Sequence, residues 1–199
     1  IHRWDFRTPI EETMQALDDL VRSGKVRYIG ASSMDAWQFS KAQYTAKANG
    51  WTTFVSMQNH YNLLYREEEH EMIPLCLDQG VGLIPWSPIA RGKLARPVGA
   101  ATERTTKDGY MKFLFDKTAE ADARVITAVQ TLAAQLGRPM AQVAMAWVRQ
   151  KAGVTAPIVG VTKAEQLTEA LAGLDLELTQ RQVAELEAPY VPHVPLGQE

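Results

Sequence analysis

Polar side chains recur in this chain at the points where predicted strands end and loops begin. They are Ser32, Ser33, Gln58, Asn59, Trp86 and Ser87. Hydroxyl and amide groups both donate and accept hydrogen bonds, and the rim formed by strand ends is where barrel enzymes assemble their sites. The same side chains commonly cap strand ends by bonding to nearby backbone groups. Position alone therefore leaves binding and capping open as interpretations.

The elements that must position these residues alternate between strands and helices. Strands are predicted at residues 26–29, 54–59, 82–87 and 156–160, and residues 1–5 read as the end of a strand already running. Helices are predicted at residues 35–49, 67–79, 121–136, 140–152, 162–172 and 179–188. A further helix starts near Thr8, which can cap it with Glu11, and Gly24 stops it. Pro74 is expected to kink the helix that contains it.

Alternating strands and helices indicate a parallel sheet, either an open doubly wound sheet or a closed barrel. The polar residues at the strand ends favour the barrel, and no G-x-G-x-x-G turn follows any predicted strand. We count about five strands, whereas a closed (β/α)8 TIM barrel needs eight. We therefore expect about three strand-helix units upstream of residue 1, and we expect the chain to be the later part of a larger unit.

Composition indicates a single domain over residues 1–199 and excludes several partners. The chain has 46% hydrophobic residues, 21 basic and 23 acidic residues, and a net charge of -2. The chain has no basic stripe, so a nucleic-acid partner is not expected. No apolar run approaches the roughly 20 residues that span a bilayer, so no membrane span is expected either. The single cysteine, Cys76, lies in an apolar stretch and is expected in the core, so a reducing cytoplasm is the natural location.

The sequence also supports expectations about a long loop, an acidic helix start and two histidines. Residues 91–118 lack a sustained period and are predicted to form a long loop, a candidate lid over a site. Glu67, Glu68 and Glu69 are expected to form a solvated first turn of a helix. His60 and His70 lack metal-ligand spacing, so no metal site is predicted.

Five motifs occur in the order of a known family. They are Ile1-His2-Arg3-Trp4-Asp5, Tyr28-Ile29-Gly30-Ala31-Ser32-Ser33, Ser56-Met57-Gln58-Asn59, Pro85-Trp86-Ser87-Pro88-Ile89-Ala90-Arg91-Gly92 and Val159-Gly160-Val161-Thr162-Lys163-Ala164-Glu165-Gln166-Leu167. With these motifs the chain resembles the C-terminal two-thirds of an aldo-keto reductase. The resemblance is to bacterial NADP-dependent reductases and the related β subunits of potassium channels.

The resemblance implies an oxidoreductase that reduces aldehydes or ketones. In this family NADP carries the hydride, and a Tyr whose pKa is lowered by a Lys paired with an Asp protonates the carbonyl oxygen. Those three residues lie upstream of this chain, so we expect the chain by itself to be inactive. His2 matches the family's histidine that orients and polarises the carbonyl group.

The resemblance also implies where the cofactor binds. Contacts to the nicotinamide are implied for Ser32, Ser33, Gln58 and Trp86. Contacts to the pyrophosphate are implied for the loop residues Ser87, Pro88, Ile89 and Arg91. Contacts to the adenosine end are implied for Gly160, Thr162, Gln166 and Glu169.

The chain departs from the family at the adenosine end. Better-known members have Lys and Arg where this chain has Gly160 and Gln166, and an Asn where it has Ala170. Recognition of the 2'-phosphate must then come from other cations. The available ones are Arg91, Arg96, Arg104 and Lys163. Each could equally be a solvated surface residue.

Two other classes remain open from the sequence. One is a cofactor-binding regulatory subunit like the channel β subunits, in which bound nucleotide acts as a sensor. The other is a truncated pseudoenzyme whose surfaces serve assembly. The carbonyl substrate stays open as well.

Overall fold

A parallel sheet with helices packed against it forms the centre of the fold. The computed structural model describes residues 1–100, 114, 115 and 118–194. Strands β1 (Ile29–Ser32), β2 (Phe54–Gln58) and β3 (Gly82–Leu83) lie side by side in that order and run parallel. Isolated bridges extend the pairing from Leu83 to Val154 and from Trp86 to Ile158. The α/β class predicted from the sequence is confirmed.

The helices of the described residues follow the predicted order closely. They are α1 (Ile10–Arg22), α2 (Ala36–Asn49), α3 (Met72–Gln79), α4 (Ala119–Leu136), α5 (Met140–Gln150), α6 (Ala164–Leu171) and α7 (Gln180–Glu187). Short 3-10 helices lie at Glu67–Glu69 and Ala90–Ala95. Apart from α3, the predicted boundaries agree with these bounds within two residues.

The strands are shorter than predicted, because local backbone chemistry interrupts their ladders. Val26 still bonds back to the Leu20 carbonyl beyond the end of α1, so β1 starts only at Ile29. The predicted strand at residues 82–87 is limited to β3, since Pro85 has no N–H to donate and Ser87 has φ 53°.

The predictions of regular strands at residues 156–160 and 1–5 are also wrong. Residues 156–160 contribute one bridge, at Ile158, because Pro157 removes a ladder donor. Residues 1–5 form no strand, since a strand needs successive ladder bonds. The backbone nitrogen of Ile1 nevertheless donates to the Gly30 carbonyl over 2.7 Å, which places residue 1 beside β1.

Two predicted helix features differ in the structure. Pro9 occupies the N-cap of α1, and the Thr8 hydroxyl donates to Asp5 Oδ2 over 2.8 Å, so the predicted capping box with Glu11 does not form. The predicted helix over residues 67–79 divides into the 3-10 helix Glu67–Glu69 and α3. Pro74 therefore lies in the first turn of α3, where its missing N–H breaks no helical bond and causes no kink.

The core lies between the sheet and the helices, and specific contacts set their register. The Phe39 ring of α2 stacks on Phe54 of β2 with centroids 5.8 Å apart. The side chain of Gln43 bonds both backbone groups of Phe54, donating over 3.1 Å and accepting over 2.8 Å. Cys76 is fully buried, as predicted, and so is the large Trp147 of α5. The contacts of Phe54 fix the amino end of β2 against α2.

Helix α6 differs from the others because none of its residues is buried. Leu167 and Leu171, one turn apart, are 47% and 56% exposed, and Val161 just before the helix is 38% exposed. An amphipathic helix normally buries such a stripe.

Most of the predicted loop over residues 91–118 lies outside the described residues. Within the described part of the chain, no helix has the length and apolar character to cross a membrane.

Candidate cofactor site

The carboxyl ends of β1 and β2 meet at one backbone carbonyl, that of Gln58. The Ser32 hydroxyl donates to this carbonyl over 2.6 Å, and the Ser33 amide donates to it over 3.2 Å. Both serines are buried. The structure thus brings Ser32, Ser33 and Gln58 together as the sequence predicted, and the Ser32 hydroxyl also makes the strand-end bond of the capping interpretation.

Trp86 lies beside this group and is fixed to it at two points. Its indole Nε1 donates to Ser33 Oγ over 3.2 Å, and its backbone nitrogen donates to the Asn59 carbonyl over 2.9 Å. Ser33 and Ser87 both have positive φ, 31° and 53°, which is uncommon for residues other than glycine. Such backbone strain concentrates at functional sites. The strained positions flank the indole ring.

The loop after Trp86 closes on itself through its own backbone. The amide of Ala90 donates to the Ser87 carbonyl over 2.9 Å, and that of Gly92 donates to the Ile89 carbonyl over 2.9 Å. In this conformation those two amides point into the loop. Any pyrophosphate contact from them therefore requires the turn to open.

The residues predicted to contact the adenosine end lie at the start of α6. Gln166 Oε1 accepts hydrogen bonds from the amides of Thr162 and Lys163 over 2.8 Å and 3.3 Å. Gly160, Thr162, Gln166 and Glu169 are all exposed. The bridge between Trp86 and Ile158 joins this segment to the nicotinamide-side residues. The segment predicted to contact the nicotinamide and the segment that leads to the adenosine-end residues are thus paired through this bridge.

The remaining predicted site residues fall at several places. His2 is exposed and follows Ile1, which bonds to the residue at the middle of β1. Pro88 is buried and Ile89 half-buried in the loop after Trp86. Arg91 is half-buried and lies close enough to His60 to lower the pKa of that imidazole.

Two other candidate cations are exposed, and one lies outside the described residues. Arg96 donates to the Gly92 carbonyl over 3.4 Å, so it lies against the loop after Trp86. Lys163 sits at the start of α6. Arg104 falls outside the described residues. The structure therefore places Arg91 and Arg96 in the loop after Trp86 and Lys163 at the start of α6.

Sequence reasoning missed a layer of buried residues directly beneath the site. The His60 ring stacks on Trp86 with centroids 4.1 Å apart, and Asn62 bonds to both His60 and the Ser87 carbonyl. Glu68, expected to be solvated, is only 7% exposed and accepts a hydrogen bond from Asn59. The polar run from Gln58 to Asn62, at the end of a predicted strand, was the sequence signal for this layer. Whether these residues are buried depends on which other segments pack against them.

A buried polar cluster with an oriented aromatic ring, at the carboxyl edge of a parallel sheet, is typical of a small-molecule or cofactor site in an α/β enzyme. The aldo/keto reductase family model matches residues 1–190. The chain therefore belongs to the aldo/keto reductase family.

Curated relatives agree with this assignment. The chain is 50% identical over 194 residues to a versiconal hemiacetal acetate reductase of Aspergillus parasiticus, covering 96% of this chain and 56% of that protein. It is 48% identical over 199 residues to the aldo-keto reductase AMT2 of Alternaria alternata, covering 99% and 53%. It is 48% identical over 194 residues to a putative aryl-alcohol dehydrogenase of Schizosaccharomyces pombe, covering 96% and 54%. The chain spans about half the length of these relatives.

Proposed function

We propose that this chain forms the cofactor-binding part of an NADP-dependent reductase that converts an aldehyde or ketone to an alcohol. The observation that carries the proposal is the convergence of Ser32, Ser33, Gln58 and Trp86 at one strand edge. Family membership supports the reaction class. The bacterial and channel-subunit branch suggested by the motifs remains a prediction, because the three relatives named above are fungal.

The residues present fit a nicotinamide group. Its carboxamide needs both donors and acceptors, and the clustered hydroxyls of Ser32 and Ser33 and the amide of Gln58 supply both. The half-buried indole of Trp86, fixed at Nε1 by Ser33, offers a flat apolar surface of suitable size. When bound, the cofactor supplies the hydride. The role of these side chains is to bind and orient the nicotinamide group.

NADP rather than NAD is proposed because cations lie in two of the predicted cofactor-binding segments. Arg91 and Arg96 lie in the loop after Trp86. Lys163 lies at the start of α6, where its backbone amide donates a hydrogen bond to Gln166 Oε1. A 2'-phosphate attracts such groups through charge-assisted hydrogen bonds. Arg104 remains a candidate from the sequence.

The catalytic Asp, Tyr and Lys are proposed to come from the rest of a complete (β/α)8 barrel. The exposed apolar stripe of α6 and the bond from Ile1 to the outer side of β1 both suit additional strand-helix units. His2, at the end of the segment beside β1, would then orient the substrate carbonyl. A cytoplasmic location is proposed as well, since the one cysteine is buried and the chain can form no internal disulfide.

The test uses the full-length protein with NADPH or NADH and a panel of aldehydes and ketones. We expect NADPH oxidation, and a lower dissociation constant (Kd) for NADPH than for NADH. His2→Gln should lower kcat/KM by about 100-fold, since one carbonyl-polarising group is lost, with little change in the Kd of NADPH. The exposed His70→Gln is the matched control. Tight NADPH binding without turnover would instead favour a regulatory subunit, and absence of binding would overturn the proposal.

A further inference from the structure

His60 and Trp86 form a parallel ring pair beneath the candidate nicotinamide site. Their centroids are 4.1 Å apart and their planes differ by 9°. His60 is only 3% exposed, and its other side stacks on Tyr65 with centroids 4.6 Å apart and planes 16° apart. His60 and Tyr65 therefore form a stack of two rings behind Trp86.

Asn62 holds both members of the pair. Its Nδ2 group lies 3.1 Å from His60 Nε2 and 3.1 Å from the carbonyl of Ser87, the residue that follows Trp86. Its Oδ1 accepts from the Leu64 amide over 2.9 Å, which fixes the orientation of the amide group. Because Nδ2 can only donate, His60 Nε2 must accept, so the imidazole carries its proton on Nδ1.

The electrostatic surroundings keep this imidazole neutral. The pKa of His60 is lowered to about 3, mainly by burial and then by the nearby Arg91 and His193. A neutral ring stacks on an indole at no cost in charge desolvation. The pair therefore stays in one protonation state throughout the physiological range.

Hydrogen bonds hold Trp86 at two other points. The Nε1 bond to Ser33 anchors one edge of the ring, and the backbone bond to Asn59 anchors the main chain. A hydrogen bond at one edge of a ring does not by itself set the tilt of the ring plane. The parallel contact with His60 constrains that tilt from one face of the indole.

We propose that His60 and Asn62 are positioning residues for the cofactor, which hold the Trp86 indole in the plane on which the nicotinamide stacks. His60 occupies one face of the indole, so the nicotinamide must use the other face. This orientation presents a single face of the nicotinamide to the substrate. The inference rests on the proposed cofactor role of Trp86.

The decisive variants separate ring stacking from hydrogen bonding at position 60. His60→Phe keeps a flat ring against Trp86 but loses the bond to Asn62, and His60→Gln keeps a polar partner for Asn62 but loses the ring. We expect His60→Phe to bind NADPH within about threefold of wild type, and His60→Gln to bind about tenfold more weakly, as loss of an aromatic pair predicts. The exposed His70→Gln should change neither value.

Two further readouts distinguish positioning from general stability. With NADPH deuterated on one or the other face of the nicotinamide, His60→Gln should transfer some hydride from the wrong face, whereas His60→Phe should not. In the cofactor-free protein labelled with fluorotryptophan, His60→Gln should shift the Trp86 fluorine resonance, assigned with Trp86→Phe. Asn62→Ala should weaken NADPH binding less than His60→Gln does.

The outcomes separate this inference from the proposed function. If the wild-type protein binds no NADPH, both fail. If wild type binds NADPH while His60→Phe and His60→Gln bind it equally well and with intact facial selectivity, the positioning role is wrong and the proposed function stands. If both variants lose binding equally although they stay folded, stacking is not what positions Trp86, and the inference is likewise overturned.

Discussion

The side-chain amide of Asn59 donates to Glu68 Oε2 over 3.3 Å, and both residues are buried. Asn59 also accepts the backbone hydrogen bond from Trp86, so this carboxyl group lies directly behind the candidate site. The pKa of Glu68 is raised to about 7. Burial is the main cause, the bond from Asn59 opposes the shift, and the negative charges of Asp35 and Glu67 add to it. The carboxyl group therefore titrates near neutral pH.

Stability should fall as pH rises because of Glu68. Its pKa is higher in the folded than in the unfolded protein, so the protonated form favours folding below about pH 4.5, and that contribution is lost as pH rises through about 7. The loss should be on the order of 3 kcal/mol. Denaturant unfolding of the full-length protein between these pH values measures it. Glu68→Gln, which mimics the neutral acid, should remove this pH dependence, whereas the exposed Glu71→Gln should leave it unchanged.

Arg66 is expected to be the most sensitive charged residue outside the site. Its guanidinium donates to Glu69 over 2.7 Å and to Glu187 over 3.1 Å, and it lies over the rings of Trp147 and Tyr190. Its side chain is only 14% exposed.

Arg66→Ala should reduce the free energy of unfolding by about 2 kcal/mol, because the partly buried Glu69 and Glu187 each lose one of two cationic partners and keep only Lys151. Arg66→Lys should recover only part of that loss, since a lysine cannot make the forked contacts. Arg181→Ala, which breaks an exposed pair with Glu185 on α7, is the control and should have no measurable effect. Equal effects of the Arg66 and Arg181 substitutions would contradict the structure.

The segment after α7 should dock through Tyr190. Its hydroxyl donates to Glu67 Oε1 over 2.6 Å and accepts from the Arg66 amide over 2.9 Å. Tyr190→Phe leaves both groups without this partner and should cost about 1–3 kcal/mol. Hydrogen exchange should show faster opening at residues 66–69, and the exposed Tyr44→Phe should not. Unchanged exchange at those amides would show that the segment is held by packing instead.

The exposed stripe of α6 tests whether further units complete the barrel. If they cover it, Leu171→Lys in the full-length protein buries a charge and loses apolar contact, so stability should fall by about 2 kcal/mol or more. Gln130→Lys, at an exposed position of α4, is the control. A full-length protein that tolerates both changes equally would argue against barrel closure over this face.

The amino-acid sequence was sufficient to predict the order of strands and helices and the meeting of the site residues. Apolar spacing within each helix is local, so α2, α4 and α5 lie close to their predicted bounds. The carboxyl ends of neighbouring parallel strands share one edge, so Ser33, Gln58 and Trp86 had to meet once the parallel sheet was inferred. The strand ends were less predictable, because Pro85 and Pro157 interrupt ladders whose extent depends on neighbouring strands.

Which polar groups are buried, and what they contact, could be read only from the folded molecule. Glu68 reads as a solvated residue in an acidic run, yet packing places it against Asn59. Arg66 pairs with Glu187, which is 121 residues away in the chain, so no local pattern could reveal the contact. His60 likewise became a stacking partner of Trp86 only when β2 and β3 paired. Burial and ion pairing depend on segments far apart in sequence, whereas helix spacing depends on near neighbours.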